Sequence, residues 1–533
     1  MGINWWMGPP MNPEGAVVET MRDLPMRLEA LTPEKRRLLE KYLKNKGIEE
    51  PDALIARESQ PLHQAGQGIV RGEIGLLPIQ KWFFNKNFPD KHHWNASLLL
   101  FSKENLDDDA FLTAIRKVVA HHDALRIIYK FDGGAIRQFN RGLDEGELFH
   151  YQVIDFTDDE DYLERIKSKV KDINASIDLT TGPLLKFGLF KTKEGVHLLM
   201  VAHHLVADGV SVPIIMNDLT SGYLQALNGG DIQLPDKTDS LMDWSQGIVK
   251  YAGSQQLLQE IPYWKRIEET QVAPLPKEGR TDQNRISDSD TLRMTLLAAK
   301  ETADLFKVVC QPDRDLKTLL LAGLGLTMRD WTGESKVAIN MVAHGREKVI
   351  ADLDITRTSG WFSIFYPVIL EIEDSRCLPR QIAQVKETLS RLPNNGIGHG
   401  ILKYITLPEF KQSLKFKLAP EISFNFDGQI ESIKNNHNTP SSYIPSPLTA
   451  SLGLGVTMTA NTDREFTFEI SLNIVNGELK IKWNYNKHEY QEKTVLNLIA
   501  GYAGNLKKIT EYYINLNSAR SSKLILTTFT GLN

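Results

Sequence analysis

Hydrophobic and polar positions along this chain follow two rhythms that alternate. SLLLFS (Ser97–Ser102) and VHLLMVAHH (Val196–His204) are short, nearly continuous apolar runs, the pattern of buried strands. AFLTAIRKVVAHHDAL (Ala110–Leu125) instead spaces Phe111, Ile115, Val118 and Val119 at helical intervals. SVPIIMNDLTSGYLQAL (Ser211–Leu227) predicts a further helix, with Ser211 as its cap, Pro213 tolerated in its first turn and Gly229-Gly230 at its exit. Together these segments predict an α/β lobe over residues 71–245. A second lobe is expected over 246–533. It holds a helix at Leu316–Trp331, strands at Lys336–Met341 and Tyr366–Ile372, and a hairpin over Phe466–Asn486 that turns at Asn476-Gly477. Two such lobes leave a cleft, where ligands often bind. No short-period repeat is present.

Residues 1–70 read as a lead segment. LTPEKRRLLEKYLKNKG predicts a helix that Thr32 caps, Pro33 begins and Gly47 ends. Its narrow stripe of Leu38, Leu39, Tyr42 and Leu43 suits packing on its own domain as a linker, or docking on another protein. The stretch Asn435–Ser451, rich in Asn, Ser and Pro, is expected to be a mobile loop.

Composition narrows the classes. With 533 residues, 41% hydrophobic and 24% charged, the chain suits a packed two-lobe protein rather than a disordered one. A net charge of −5 without a basic block argues against nucleic-acid binding. Cys310 and Cys377 form no CxxC pair, so a zinc ribbon or disulfide framework is not expected, and no metal site is predicted. The start lacks the basic-then-apolar pattern of a signal peptide, Trp6 breaks the myristoylation pattern, and the apolar run Leu319–Met328 is too short to span a bilayer. The expected location is cytoplasmic, without membrane contact.

One heptapeptide stands out as chemistry. HHLVADG (His203–Gly209) follows a buried strand and precedes a helix. Adjacent strand residues point to opposite faces, so one histidine can be structural while the other, His204, reaches a cavity. A neutral imidazole suits general-base work near pH 7. Asp208 can bind an arginine or backbone donors and hold the loop, with Arg126 and Arg346 as candidate partners, and Gly209 permits a close backbone approach. His92-His93 and His121-His122 are pairs without the following xxxDG and read as structural. GIGHG (Gly396–Gly400) lacks a nucleotide-loop spacing, and Trp82, Trp94 and Trp361 suit a core better than a cofactor box.

HHLVADG resembles the HHxxxDG signature of the condensation superfamily of nonribosomal peptide synthetases. The resemblance extends, in family order, through PIQKWFF (Pro78–Phe84) with HHWNAS (His92–Ser97), HDALR (His122–Arg126), HGRE (His344–Glu347), RTSGWFS (Arg357–Ser363) with YPV (Tyr366–Val368), PNNGIGHGILKY (Pro393–Tyr404) and FNFDGQI (Phe424–Ile430). It is nearest to the epimerization-domain subtype. The resemblance implies two chloramphenicol-acetyltransferase-like lobes in a V-shaped pseudo-dimer with a central tunnel. Through that tunnel, peptidyl or acyl carrier protein domains would present substrates on phosphopantetheine, with no cofactor bound directly. It implies His204 as the catalytic group facing the tunnel, His203 and Asp208 as structural supports, and Asn425 near the site. Val342, Phe426, Trp361 and Ser211 are expected along the substrate channel.

Two departures bear on the reaction. The subtype reads EGHGRE where this chain reads VAHGRE, so Val342 replaces a glutamate that carries protons. It reads FNYLGQ where this chain reads FNFDGQ, so Phe426 replaces a tyrosine. Epimerisation is simplest with two acid–base groups on opposite sides of the substrate, and losing one typically costs about 100- to 10,000-fold in rate. Amide formation needs one base or acceptor plus juxtaposition. The sequence therefore favours acyl transfer from a carrier-bound thioester to an amine or aminoacyl acceptor. Epimerisation of a carrier-bound aminoacyl or peptidyl thioester is the alternative, and a silent carrier-binding module is a third.

Overall fold

The computed structural model describes residues 64–281, 284–311, 314–373, 377–430, 444–446, 448–449 and 455–530. The helix expected between Thr32 and Gly47, and most of Asn435–Ser451, lie outside these residues.

Strands β1 (Gly72–Ile74), β2 (Trp94–Ser102), β3 (Ile127–Asp132), β4 (Ala135–Asn140), β5 (His150–Asp155), β6 (Leu185–Thr192) and β7 (Gly195–His203) come from the first half of the chain. The second half supplies β8 (Ser289–Leu297), β9 (Lys336–Ala343), β10 (Ile364–Glu371), β11 (Ile422–Ile430), β12 (Ile444–Pro445), β13 (Val456–Met458), β14 (Phe468–Val475) and β15 (Glu478–Asn486). They build a six-stranded sheet in each lobe. The first runs β12-β2-β7-β6-β5 with β13 also on β2, and the second runs β10-β9-β11-β14-β15-β8. A small sheet, β1-β4-β3, flanks the first.

Local sequence accounts for these elements. β7 is buried along its whole length, which is why it reads as an unbroken apolar run rather than an alternation. The hairpin β14–β15 turns at Asn476 and Gly477, whose φ values of 53° and 79° are those a primed turn requires. β14 alternates buried and half-buried residues, so one face meets the core and the other does not. The Asp108–His121 helix is capped by Asp107, whose carboxylate accepts the Ala110 N–H at 2.8 Å. It ends earlier than its spacing predicts, because His122 leaves the helix and Asp123–Arg126 forms a 3-10 turn. It packs on the Ser211–Leu227 helix, with Phe111 6.0 Å from Tyr223. The Leu316–Thr332 helix explains the apolar run Leu319–Met328. It is buried between the second sheet and the Glu492–Thr530 helix, with Gly323 tight against Leu506 and Gly325 against Ile372. Among the described residues, no helix is long and apolar enough to cross a membrane.

Two expectations are corrected. Part of the segment read as a mobile loop is strand. Ile444 and Pro445 pair with Phe101 and Leu100, and β13 then pairs with Trp94–Ala96, which closes the edge of the first sheet. GIGHG, whose glycines suit a loop motif, is instead largely helix. Ile397–Tyr404 is helical, entered through left-handed Asn394, Asn395 and Gly396, where a side chain on Gly396 would sit 2.5 Å from the Tyr366 ring.

Candidate active site

β7 ends at His203, and the chain turns through His204–Val210 into the Ser211–Leu227 helix. His203 Nδ1 accepts the Leu205 N–H at 3.2 Å, so its Nε2 carries the proton donated to the Lys91 carbonyl at 2.9 Å. That locked, fully buried ring is structural, and burial pushes its pKa down to about 3. His204 anchors differently. Its backbone N–H donates to the Trp94 carbonyl at 2.8 Å, and its ring lies 4.3 Å from Trp361 of the second lobe. The residue is 3% exposed, and burial pushes its pKa down to about 4 against the opposing charge of Asp208. At neutral pH the imidazole is therefore uncharged and able to accept a proton. It sits at the junction of the lobes rather than inside one, packed against Trp361.

Asp208 ties that junction together. Its Oδ1 accepts the N–H groups of Val210 (3.1 Å) and Ser211 (2.8 Å) and the Ser211 hydroxyl (2.7 Å), while Oδ2 accepts the Phe362 N–H at 3.0 Å. Arg346 Nη2 donates to Oδ1 at 3.2 Å, and Arg346 Nη1 donates to the Ile355 and Thr358 carbonyls at 2.7 Å each. The guanidinium also lies over the Phe362 ring, 4.2 Å from its centre. Burial alone would raise the Asp208 carboxyl; Arg346, Phe362 and Ser211 outweigh it and hold it below the usual range. Asp208 thus caps the following helix, and Ser211 occupies the first turn instead of the cap. Ser211 is fully buried and bonded to Asp208, Arg346 and Gly360, so it braces the lobe contact rather than lining a channel. Arg126 does not reach Asp208. It is bound to Asp123 and to the carbonyls of Val119, Ala120 and Arg141. Gly209 is buried in the turn.

The facing wall comes from the second sheet. Phe365 of β10 pairs with Val342 of β9, and Phe365 meets Trp82 of the Pro78–Asn85 helix at 5.0 Å. Trp82 in turn lies 6.2 Å from Trp361. The face that carries Val342 and Phe365 therefore looks toward the first lobe. The parallel register of β9 and β11 runs to Met341 opposite Phe424, and Val342 and Asn425 are the residues that follow on the two strands. Asn425 pairs onward with Ser471, and Ser471 with Lys482. Phe426 pairs with buried Leu472 on the opposite face and packs against the core, so strand alternation turns it away from this wall.

Sequence inspection passed over one residue here. Asp427 stands where the FNYLGQ pattern has leucine. It is 4% exposed and accepts a hydrogen bond from the Asn425 side-chain amide. Burial pushes its pKa up to about 7, against the attraction of Lys482 and the Asn425 bond. An acid inside a buried strand was the available signal.

The other histidine pairs are held locally. His92 Nδ1 accepts the Leu179 N–H, and His122 Nε2 lies 2.8 Å from Asp218, which also binds Arg357. His121, His122 and Asp218 have metal-like spacing, but the positive charges of Arg357 and Lys237 bear on the same cluster. A cleft of about 780 Å³ lined by Lys265, Lys415 and Lys417 opens at the Val337–Ala338 end of β9 and contains none of the motif residues. Cys310 and Cys377 are free and exposed.

The order of elements, the lobe junction and the HHxxxDG turn define a condensation-domain architecture, and comparison with known proteins places the chain in it. The chain belongs to the condensation-domain family, whose model matches residues 70–521. It is 42% identical to tyrocidine synthase 2 of Brevibacillus parabrevis over 451 residues, which are 84% of this chain and 12% of that protein. Among solved structures, it is similar to the epimerization domain from the third module of tyrocidine synthetase B. That match has a TM-score of 0.78 and 41% identity, covering 85% of this chain and 99% of the other. The first condensation domain of the calcium-dependent antibiotic synthetase shares the fold, with a TM-score of 0.60 at 17% identity over 82% of this chain and 97% of that one. The fold is thus a pair of chloramphenicol-acetyltransferase-like lobes, and the chain is a member of the condensation-domain family similar to an epimerization domain.

Proposed function

We propose that this chain epimerises the α-carbon of an aminoacyl or peptidyl group held as a thioester on the phosphopantetheine arm of a carrier protein. His204 is the proton-transfer group contributed by the first lobe. The observation that carries this reading is the place of His204, a neutral imidazole at the junction of two lobes whose whole arrangement matches that of an epimerization domain. A tethered substrate enters between the lobes by displacing Trp361 from the ring. Asp208 and Arg346 hold the turn so that the imidazole keeps its direction while Trp361 moves.

Val342 favours a second reading. Without a proton-carrying group at that position, one imidazole still suffices to accept the proton released when an amine attacks a thioester carbonyl. Amide-forming acyl transfer to an amine or aminoacyl acceptor is therefore the competing reaction.

One experiment separates the two. Carrier proteins are loaded with Cα-deuterated L-phenylalanine, L-leucine and L-lysine, and mixed with the chain and free amines. Loss of deuterium with appearance of the D-aminoacyl thioester is the expected outcome. Amide product with the label retained would instead establish acyl transfer. Neither product, with carrier binding intact, would leave only a binding module.

A further inference from the structure

The site has a histidine on one wall and, where the sequence pattern leads one to look, a valine on the other. The strands around Val342 supply a replacement. We propose that Asp427 is the second proton-carrying group of this site, presented from the second lobe across the substrate from His204. This inference rests on the epimerisation reading.

Geometry puts Asp427 on the face of the second sheet that Val342 and Phe365 share. Asn425 follows Phe424, whose partner Met341 precedes Val342, and the hydrogen bond from the Asn425 amide holds the Asp427 carboxylate on the same face of the sheet. The register of β11 against β14 slips between Phe426 and Gln429, and Gly428 takes a φ of 78°. Such a bulge re-aims a side chain and recurs beside active sites. The same face carries Phe365, which reaches His204 through Trp82 and Trp361 in successive ring contacts.

The chemistry fits the place. The charged group that faces Asp427 is Lys482 of β15, with Arg293 of β8 and Glu469 of β14 acting on that lysine in turn. Burial lowers the Lys482 pKa to about 8, and Asp427 keeps its proton to about 7, so at neutral pH the carboxyl can donate. In the proposed step a His204 ring nitrogen takes the α-proton, and the C–H electron pair passes into the thioester enolate. The carboxyl proton of Asp427 then forms the new C–H bond on the opposite face. This leaves an imidazolium and a carboxylate, and exchange with water resets both. The reverse direction interchanges the two roles. The valine at 342 is thus explained, since the acid has moved to a neighbouring strand on the same face of the sheet.

The test uses the full chain and the Cα-deuterated thioesters named above. Asp427→Asn is expected to lower deuterium loss about 100- to 10,000-fold while still unfolding in one cooperative transition, and Asp427→Glu to retain part of the activity. The exchange rate of the wild type should fall above pH 7 as the carboxyl loses its proton, and that limb should vanish in Asp427→Asn, which a purely structural role would not produce. The double variant Val342→Glu/Asp427→Leu moves the acid to the position the family pattern gives it, and should recover exchange. A folded Asp427→Asn protein exchanging at the wild-type rate overturns the inference while leaving epimerisation standing. If the double variant stays silent although it binds carrier protein, the inference also falls. Wild type that forms amide without any exchange overturns the epimerisation reading itself, and this inference with it.

Discussion

At the scale of single residues, burial sets the protonation of the site. His203 and His204 are held neutral, with pKa values of about 3 and 4, whereas an unfolded chain titrates its histidines near 6.5. Below that value the unfolded state binds protons that the folded state refuses. Their contribution to stability is complete above about pH 6.5 and is lost as pH falls toward 4. Asp427 has the opposite sign. Its folded pKa of about 7 lies above the unfolded value, so its contribution is complete at low pH and is lost as pH rises through 7. Each group changes the slope of stability by up to about 1.4 kcal/mol per pH unit. Urea denaturation between pH 4.5 and 6.5 should therefore give a shallower dependence for His204→Ala than for wild type, and a steeper one for Asp427→Asn. Equal slopes for all three would contradict the burial argument. His204 and Asp208 were legible in the sequence because HHxxxDG fixes both at one turn. Ser211 and Arg126 were misassigned because a helix cap depends on the dihedrals of the preceding turn, and an arginine partner depends on which elements pack. Neither is written in spacing.

At the scale of elements, the link between β7 and the Ser211–Leu227 helix is the part that couples the lobes. Asp208 accepts from its own helix on one side and from Phe362 and Arg346 on the other. Both members of the ion pair are nearly inaccessible, with side-chain exposures of 1% and 6%. Removing one partner would leave a buried charge uncompensated, at a cost of about 3–5 kcal/mol. Arg346→Ala is accordingly expected to lower the unfolding free energy by that margin, read as a lower denaturation midpoint. Arg346→Lys should recover only part of it, because a single ammonium cannot serve Asp208 and two carbonyls at once. A midpoint unchanged in Arg346→Ala would show that the pair adds nothing. Strand and helix types along the chain were legible, since period-two and helical spacing differ. The neighbours of a strand were not. That Val342, Asn425 and Lys482 lie on one face of the sheet follows from register, which arises only when β9, β11, β14 and β15 have paired. For the same reason spacing alone did not show that Phe426 faces the core, or which strands flank Asp427.

At the scale of the molecule, the two lobes have unlike tasks. The first presents an imidazole at the end of a fully buried strand, and the second closes over it with Trp361 and offers a polar row from its sheet. β12 and β13 leave the second half of the chain to pair with β2, so chain order and spatial order differ at this seam. That crossing was invisible in a stretch whose Asn, Ser and Pro content reads as loop. The central claim is that an acyl group tethered to a carrier protein meets His204 between the lobes and exchanges its α-proton there. The most direct measurement is mass-spectrometric detection of solvent deuterium entering the α-carbon of an L-aminoacyl carrier protein, with wild type and His204→Ala compared at equal carrier binding. Uptake by wild type, lost in the variant, is the predicted result; uptake at the same rate in both, or in neither, would contradict the account.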